Sequence, residues 1–129
     1  MAVIGFSDNP DEIWSIAGWA FRQVLDDVMS QYPEDSEMAD AFDLAKIYKA
    51  LNIDLMEPEF AARVTSAIRQ VVTGILSGAI RSGIHDQPYG DEVTVEQYLR
   101  GLQQLLEVLE SFPATLDGGR IRSEDRRAE

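Results

Sequence analysis

Residues 58–83 read PEFAARVTSAIRQVVTGILSGAIRSG and include the most apolar stretch of the chain. Their apolar residues recur at helical spacing, and at about 100° per residue they cover roughly 220° of a helix circumference. Pro58 suits a first helical turn, and Gly83 suits the end of a helix. A helix with so wide an apolar arc must contact several neighbours, so we predict a central helix over 57–83. Val71 and Ile75 lie inside the arc and are expected to be almost fully buried.

Three further segments carry the periodicity of amphipathic helices, and we predict helices over 10–32, 35–51 and 94–112. Thr94 and Gln97 form a capping box at the start of the last one. The first has its own start signals, which are Asn9 as the N-cap, Pro10 in the first turn and Glu12 three residues after the cap.

Four amphipathic helices with short connections, and no convincing strand alternation, predict an all-α fold, a compact bundle of four main helices. The 129 residues suit one domain, which we place at 1–116 as a single helical domain. Residues 117–129 carry mixed charges without apolar periodicity and are predicted to be a disordered C-terminal tail.

The chain is strongly acidic, with 23 acidic and 11 basic residues and a formal net charge of −12. The acids concentrate in residues 1–59, which contain 13 of them and only 3 bases. This field repels nucleic-acid phosphates and anionic membrane surfaces, so we expect neither as a partner. It would attract a basic protein, although acidity that only maintains solubility explains the composition equally well.

No run of 18 or more uncharged apolar residues is present, so we expect no membrane span. The N-terminal residues lack a basic region ahead of their apolar ones, which argues against a signal peptide. The chain has no cysteine, which excludes disulfides and thiolate metal sites. Together these features favour a cytoplasmic protein.

Motifs that would carry catalysis are weak. His85 is the only histidine, so no Glu-x-x-His pair for a di-metal bundle site exists. His85, Asp86 and Asp91 could form an acid–base or single-metal cluster, but a solvated polar loop is the preferred interpretation. The acids of residues 34–43 lie in a helical pattern rather than a calcium loop. We therefore expect no catalytic residues, no metal and no cofactor.

Trp19 is the main candidate for a surface anchor. On a helix through residues 10–32 it falls on the polar side, with Ile16 at the edge of the same face and Asp26 and Asp27 nearby. Large aromatics on a polar face serve as anchors in protein interfaces, so Ile16, Trp19, Asp26 and Asp27 are the predicted partner-binding residues. The alternative is that the loop 84–93 or the N-terminal residues 3–6 cover Trp19.

Gly74 and Gly78 stand four residues apart in the predicted central helix. Because glycine costs about 1 kcal/mol relative to alanine inside a helix, two on one face suggest a close approach. Another helix of the same chain is the preferred neighbour, and a homodimer contact is the alternative.

These observations favour a non-enzymatic acidic binding protein with a basic protein partner. One version is an inhibitor of the immunity or antitoxin type, which covers a basic active site. The first alternative is an adaptor or structural subunit of a homo-oligomeric assembly. The second is a small ligand-binding or enzymatic bundle that uses His85.

Overall fold

The computed structural model describes residues 1–6 and 13–111, without the side chain of Ser111. In this part of the chain three short strands and four helices follow one another, with single 3₁₀ turns at Ile53–Leu55 and Gly83–Asp86. The elements are β1 (Ala2–Gly5), β2 (Ile13–Ile16), α1 (Gly18–Gln31), α2 (Ser36–Tyr48), β3 (Ala50–Asn52), α3 (Pro58–Ser77) and α4 (Glu92–Ser111). The predicted all-α class is therefore wrong, because the mostly helical fold includes a mixed sheet.

The sheet has the order β2-β1-β3, with β1 antiparallel to β2 and parallel to β3. Ile4 in the central strand is paired with Trp14 on one side and with Leu51 on the other. All three side chains are buried, so this face of the sheet contributes to the core. The indole Nε1 of Trp14 also donates to the backbone carbonyl of Gly101, which ties β2 to α4.

The strands shorten two of the predicted helices. The helix expected over 10–32 begins only at Gly18, since residues 13–16 pair with β1 instead. The helix expected over 35–51 ends at Tyr48, and the residues after it form β3. Lys49 makes this turn with a φ of 59°, in the left-handed region that a side chain disfavours.

The central position of α3 follows from its wide apolar arc. It packs against both α1 and α4, and the predicted burial of Val71 and Ile75 is confirmed, with 2% and 8% of each residue exposed. The helix ends at Ser77 rather than near Gly83, because Gly78 adopts a left-handed φ of 86° and reverses the chain.

The fourth helix begins slightly earlier than predicted. The carboxylate of Asp91, rather than the hydroxyl of Thr94, caps it by accepting a hydrogen bond from the backbone N–H of Thr94. Across the described ranges no helix is both long enough and apolar enough to cross a membrane. The predicted caps at Asn9, Pro10 and Glu12, and the predicted tail over 117–129, lie outside the described residues.

Candidate functional site

Helix α2 presents three large apolar side chains to solvent. Leu44, Ile47 and Tyr48 are 55%, 71% and 74% exposed. The same helix buries Met38, Phe42 and Ala45 against the core. At 100° per residue Ile47 points almost directly away from these buried residues, and Leu44 and Tyr48 lie between it and them, so the apolar arc continues well beyond the part that the core covers. We call Leu44, Ile47 and Tyr48 the α2 face.

Acidic side chains surround the α2 face. Asp40 and Asp43 flank Ile47 on the helix surface and are exposed. Neither forms an ion pair with another residue in the described ranges. Lys46 on the same helix is already paired with Asp26 of α1. From residue 34 to residue 59 the chain has eight acids and two bases, a net charge of −6.

The start of α2 is held by ion pairs to α3. Arg63 binds Asp35 at 3.1 Å and Glu37 at 2.6 Å, and its guanidinium lies 4.9 Å from the ring centroid of Phe60. The backbone N–H of Met38 and the Arg63 guanidinium lower the pKa of Asp35. An open cleft of about 570 Å³ adjoins these groups. Because Arg63 and the two carboxylates satisfy one another, the arrangement fits a structural contact between helices better than an acid–base site.

Trp19 lies partly buried at the first turn of α1. Its ring centroid is 5.9 Å from that of Tyr89 and 6.3 Å from that of Tyr98. Tyr89 belongs to the connection between α3 and α4. The loop 84–93 therefore covers part of Trp19, as in the alternative considered from the sequence. A cleft of about 260 Å³ remains beside these rings, lined by Trp19, Tyr89, Thr94 and Gln97.

The other predicted partner-binding residues do not gather around Trp19 as one helical surface. Ile16 lies in β2, and its side chain packs so closely on Gly101 that an added Cβ there would come within 2.4 Å of it. Asp26 is exposed and pairs with Lys46. Asp27 is only 4% exposed, so its carboxylate belongs to the interior and not to the surface.

Asp27 is the centre of a buried hydrogen-bond network. Its carboxylate accepts from the hydroxyl of Tyr98 at 2.7 Å, from the hydroxyl of Ser82, and from the backbone N–H of Gly83 at 2.9 Å. The amide of Gln23, one helical turn earlier, donates to it as well. Four donors satisfy this carboxylate without a basic partner. The network joins α1 to α4 and to the connection between α3 and α4.

Burial and the adjacent Asp27 carboxylate raise the pKa of Tyr98 well above its ordinary value. Desolvation is the larger cause, because it disfavours the charged phenolate. The Tyr98 hydroxyl is therefore a fixed hydrogen-bond donor at neutral pH. The network has no exposed nucleophile, which favours a structural role.

The two glycines of the candidate oligomer contact have separate explanations within the chain. A Cβ added at Gly74 would lie 2.4 Å from the side chain of Ile80, so the close neighbour is the segment that follows α3. Gly78 provides the left-handed conformation that ends the helix. Neither glycine needs a second copy of the chain to account for it.

His85 lies in the 3₁₀ turn after α3 and is exposed. Asp86 pairs with Arg81 at 2.8 Å, and Asp91 caps α4. The three residues therefore make separate contacts. Among residues 1–6 and 13–111, no group of three or more histidines and carboxylates is arranged to hold a metal ion.

Sequence reasoning missed the α2 face because it proposed no exposed surface for this helix and looked for an anchor only around Trp19. The arc from Ile47 through Tyr48 to Phe42 spans roughly 220°, as wide as the arc of α3. An arc of that width requires contacts with several neighbouring elements, and α3 has them because it packs against both α1 and α4. In α2 part of the arc stays exposed. The width of the arc was therefore the signal in the sequence that could have indicated a second contact surface on this helix.

Comparisons of the chain with models of protein families, with curated proteins and with solved structures found no match.

Proposed function

We propose that this chain is a non-enzymatic binding protein, and that the α2 face binds a basic amphipathic segment of another protein. The observation that carries the proposal is the exposure of Leu44, Ile47 and Tyr48 on one helix surface among unpaired acids. Apolar residues at positions i, i+3 and i+4 match the ridge that a helix presents to the groove of a partner. Large exposed apolar groups rimmed by polar residues are typical of interaction sites.

The charge around the α2 face selects the partner. Asp40 lies between Ile47 and Leu44, and Asp43 lies at the edge of the α2 face, so both would be at least partly desolvated by a bound segment. A partner with lysine or arginine at the matching positions would compensate them, whereas an acidic partner would meet like charges. A second copy of this chain carries the same carboxylates, so the charge disfavours a symmetric dimer through this face.

An inhibitor of the immunity or antitoxin type is the specific version of this function that we favour. A small acidic domain of this kind would cover a basic active site and compete there with an anionic substrate. The absence of cysteine is compatible with a site of action in the cytoplasm. Electrostatic steering would accelerate association, and the rate constant would fall steeply as salt increases.

Affinity capture from the native host with three baits tests this proposal. The baits are the full chain, Ile47→Lys and Thr73→Lys. Both variants add one positive charge, but Thr73 is an exposed residue of α3 and not of α2. We expect a basic protein to bind the full chain and Thr73→Lys, and to be lost with Ile47→Lys. It should also dissociate more readily in high salt.

Two results would overturn the proposal. One is a partner retained equally by all three baits, since the α2 face would then be irrelevant. The other is concentration-dependent dimerisation in sedimentation velocity that Ile47→Lys abolishes, which would support the homo-oligomeric alternative instead.

A further inference from the structure

The cleft beside Trp19 has two aromatic walls and two polar ones. The rings of Trp19 and Tyr89 are inclined by 70°, with Tyr89 being 44% exposed. Thr94 and Gln97, one turn apart at the start of α4, complete the lining. Its volume of about 260 Å³ is below the range of about 300–1,000 Å³ that is typical of pockets for drug-sized ligands. The cleft is therefore suited to a single side chain or a group of similar size.

The electrostatics of the cleft favour a cation. Aromatic faces carry partial negative charge, and none of the four lining residues is basic. The carboxylate of Asp91 lies next to the cleft, because it accepts from the backbone N–H of Thr94 at 2.8 Å. This carboxylate also offsets the partial positive charge of the α4 N-terminus.

The polar walls distinguish among cations. The Thr94 hydroxyl and the Gln97 carbonyl can each accept a hydrogen bond. A quaternary ammonium has no donor for them, whereas a guanidinium has five and also stacks on aromatic rings.

We propose that this cleft binds a guanidinium group. Resting on the proposed function, we assign that group to an arginine side chain of the basic partner. The cleft would then add selectivity for arginine over lysine to the general preference of an acidic surface for basic proteins.

Titration of the full chain with a small probe tests the cleft independently of the α2 face. The probes are the Nα-acetyl methylamides of arginine, citrulline and lysine, since citrulline has nearly the same shape as arginine but no charge. Indole N–H signals in ¹H–¹⁵N spectra report the result, with buried Trp14 as the internal reference. We expect the arginine probe to shift the signal of Trp19 and to bind about three- to tenfold more tightly than citrulline. The lysine probe should bind more weakly than the arginine probe.

A charge-reversal pair at the mouth of the cleft sharpens the test. Gln97 is exposed on α4, so Gln97→Lys and Gln97→Glu should both fold. We expect Gln97→Lys to weaken arginine binding several-fold and Gln97→Glu to strengthen it, with a smaller change for citrulline, which can lose the hydrogen bond to Gln97 but carries no charge. Gln104→Lys, the same change two turns further along α4, should bind like the parent chain.

Equal affinity for arginine and citrulline would overturn the proposal, as would equal affinity for lysine. So would a Trp19 signal that does not move, or identical effects of the two Gln97 variants. Because none of these measurements involves Leu44, Ile47 or Tyr48, failure here leaves the proposed function standing. Conversely, if the capture experiment contradicts the role of the α2 face, the titration with the arginine probe still tests the cleft.

Discussion

At the scale of single residues, Asp27 connects three segments of the chain, and nothing in the surrounding sequence indicates this role. Asp26 and Asp27 are adjacent and chemically identical in sequence, yet one is exposed and the other is buried with four hydrogen-bond donors. A carboxylate away from water is tolerated only when donors surround it. Here two of those donors, on Ser82 and Tyr98, lie 55 and 71 residues away along the chain.

Replacing Asp27 with alanine should lower the free energy of unfolding by at least about 3 kcal/mol, because several buried donors lose their acceptor together. Urea denaturation followed by circular dichroism measures this change. Asp26→Ala is the matched control and should cost less than about 1 kcal/mol, since it removes only a surface ion pair. Similar losses for the two variants would contradict the structural importance of the network.

Tyr98 gives the network a pH signature. The pKa of Tyr98 is raised in the folded state, so the folded protein keeps this proton above pH 10, whereas Tyr98 in the unfolded chain loses it. The unfolded state then binds fewer protons, and the stability contributed by this residue, present below pH 10, falls as pH rises. We expect a decline of about 1 kcal/mol per pH unit above pH 10 that Tyr98→Phe lacks. Urea denaturation of both proteins at pH 9, 10 and 11 measures it, and parallel declines would refute the assignment.

At the scale of elements, two turns determine how helices connect to the rest of the fold. Lys49 joins α2 to β3 with a left-handed backbone that suits glycine better than lysine. Lys49→Gly should therefore raise the free energy of unfolding by about 0.5–1 kcal/mol. Lys49→Val should lower it, because a branched side chain disfavours this conformation further. Thermal denaturation ranks the three proteins, and a less stable glycine variant would contradict the argument.

The second turn is the connection that places Tyr89 against Trp19. A Cβ added at Gly90 would lie 2.1 Å from the backbone carbonyl oxygen of Ile84, and backbone cannot yield as a flexible side chain can. Gly90→Ala should therefore displace this connection and move the indole signal of Trp19, while Trp14 remains unchanged. An unaltered Trp19 signal would show that the connection tolerates the methyl group. Gly18→Ala is the matched control, because its added Cβ would contact nothing within 4 Å.

At the scale of the whole molecule, two isoleucines in different environments distinguish a surface residue from a core residue. Ile47 is 71% exposed on the α2 face, whereas Ile68 is fully buried in α3. Ile47→Lys should change the free energy of unfolding by no more than about 0.5 kcal/mol, because it alters only solvated surface. Ile68→Lys should prevent folding, since it would bury an unpaired charge. Urea denaturation and circular dichroism compare them, and a strongly destabilised Ile47→Lys would mean that the α2 face packs within the molecule.

The four helices and the central position of α3 could be predicted from the sequence, because helical periodicity is a local property that persists over many residues. The burial of Val71 and Ile75 and the acidic charge of the chain follow from the sequence in the same way. The sheet could not be predicted, because its strands are three or four residues long and show too few alternations to compete with the helical pattern of residues 10–32.

Long-range packing determined which of several chemically equivalent residues are exposed and which are buried. Pairing of β1 with β3 joins residues almost fifty positions apart, and the four donors of Asp27 come from three separate segments. The number of neighbours around a helix is likewise a property of the packed molecule. For this reason α3 buries its wide apolar arc, whereas α2 leaves Leu44, Ile47 and Tyr48 in solvent.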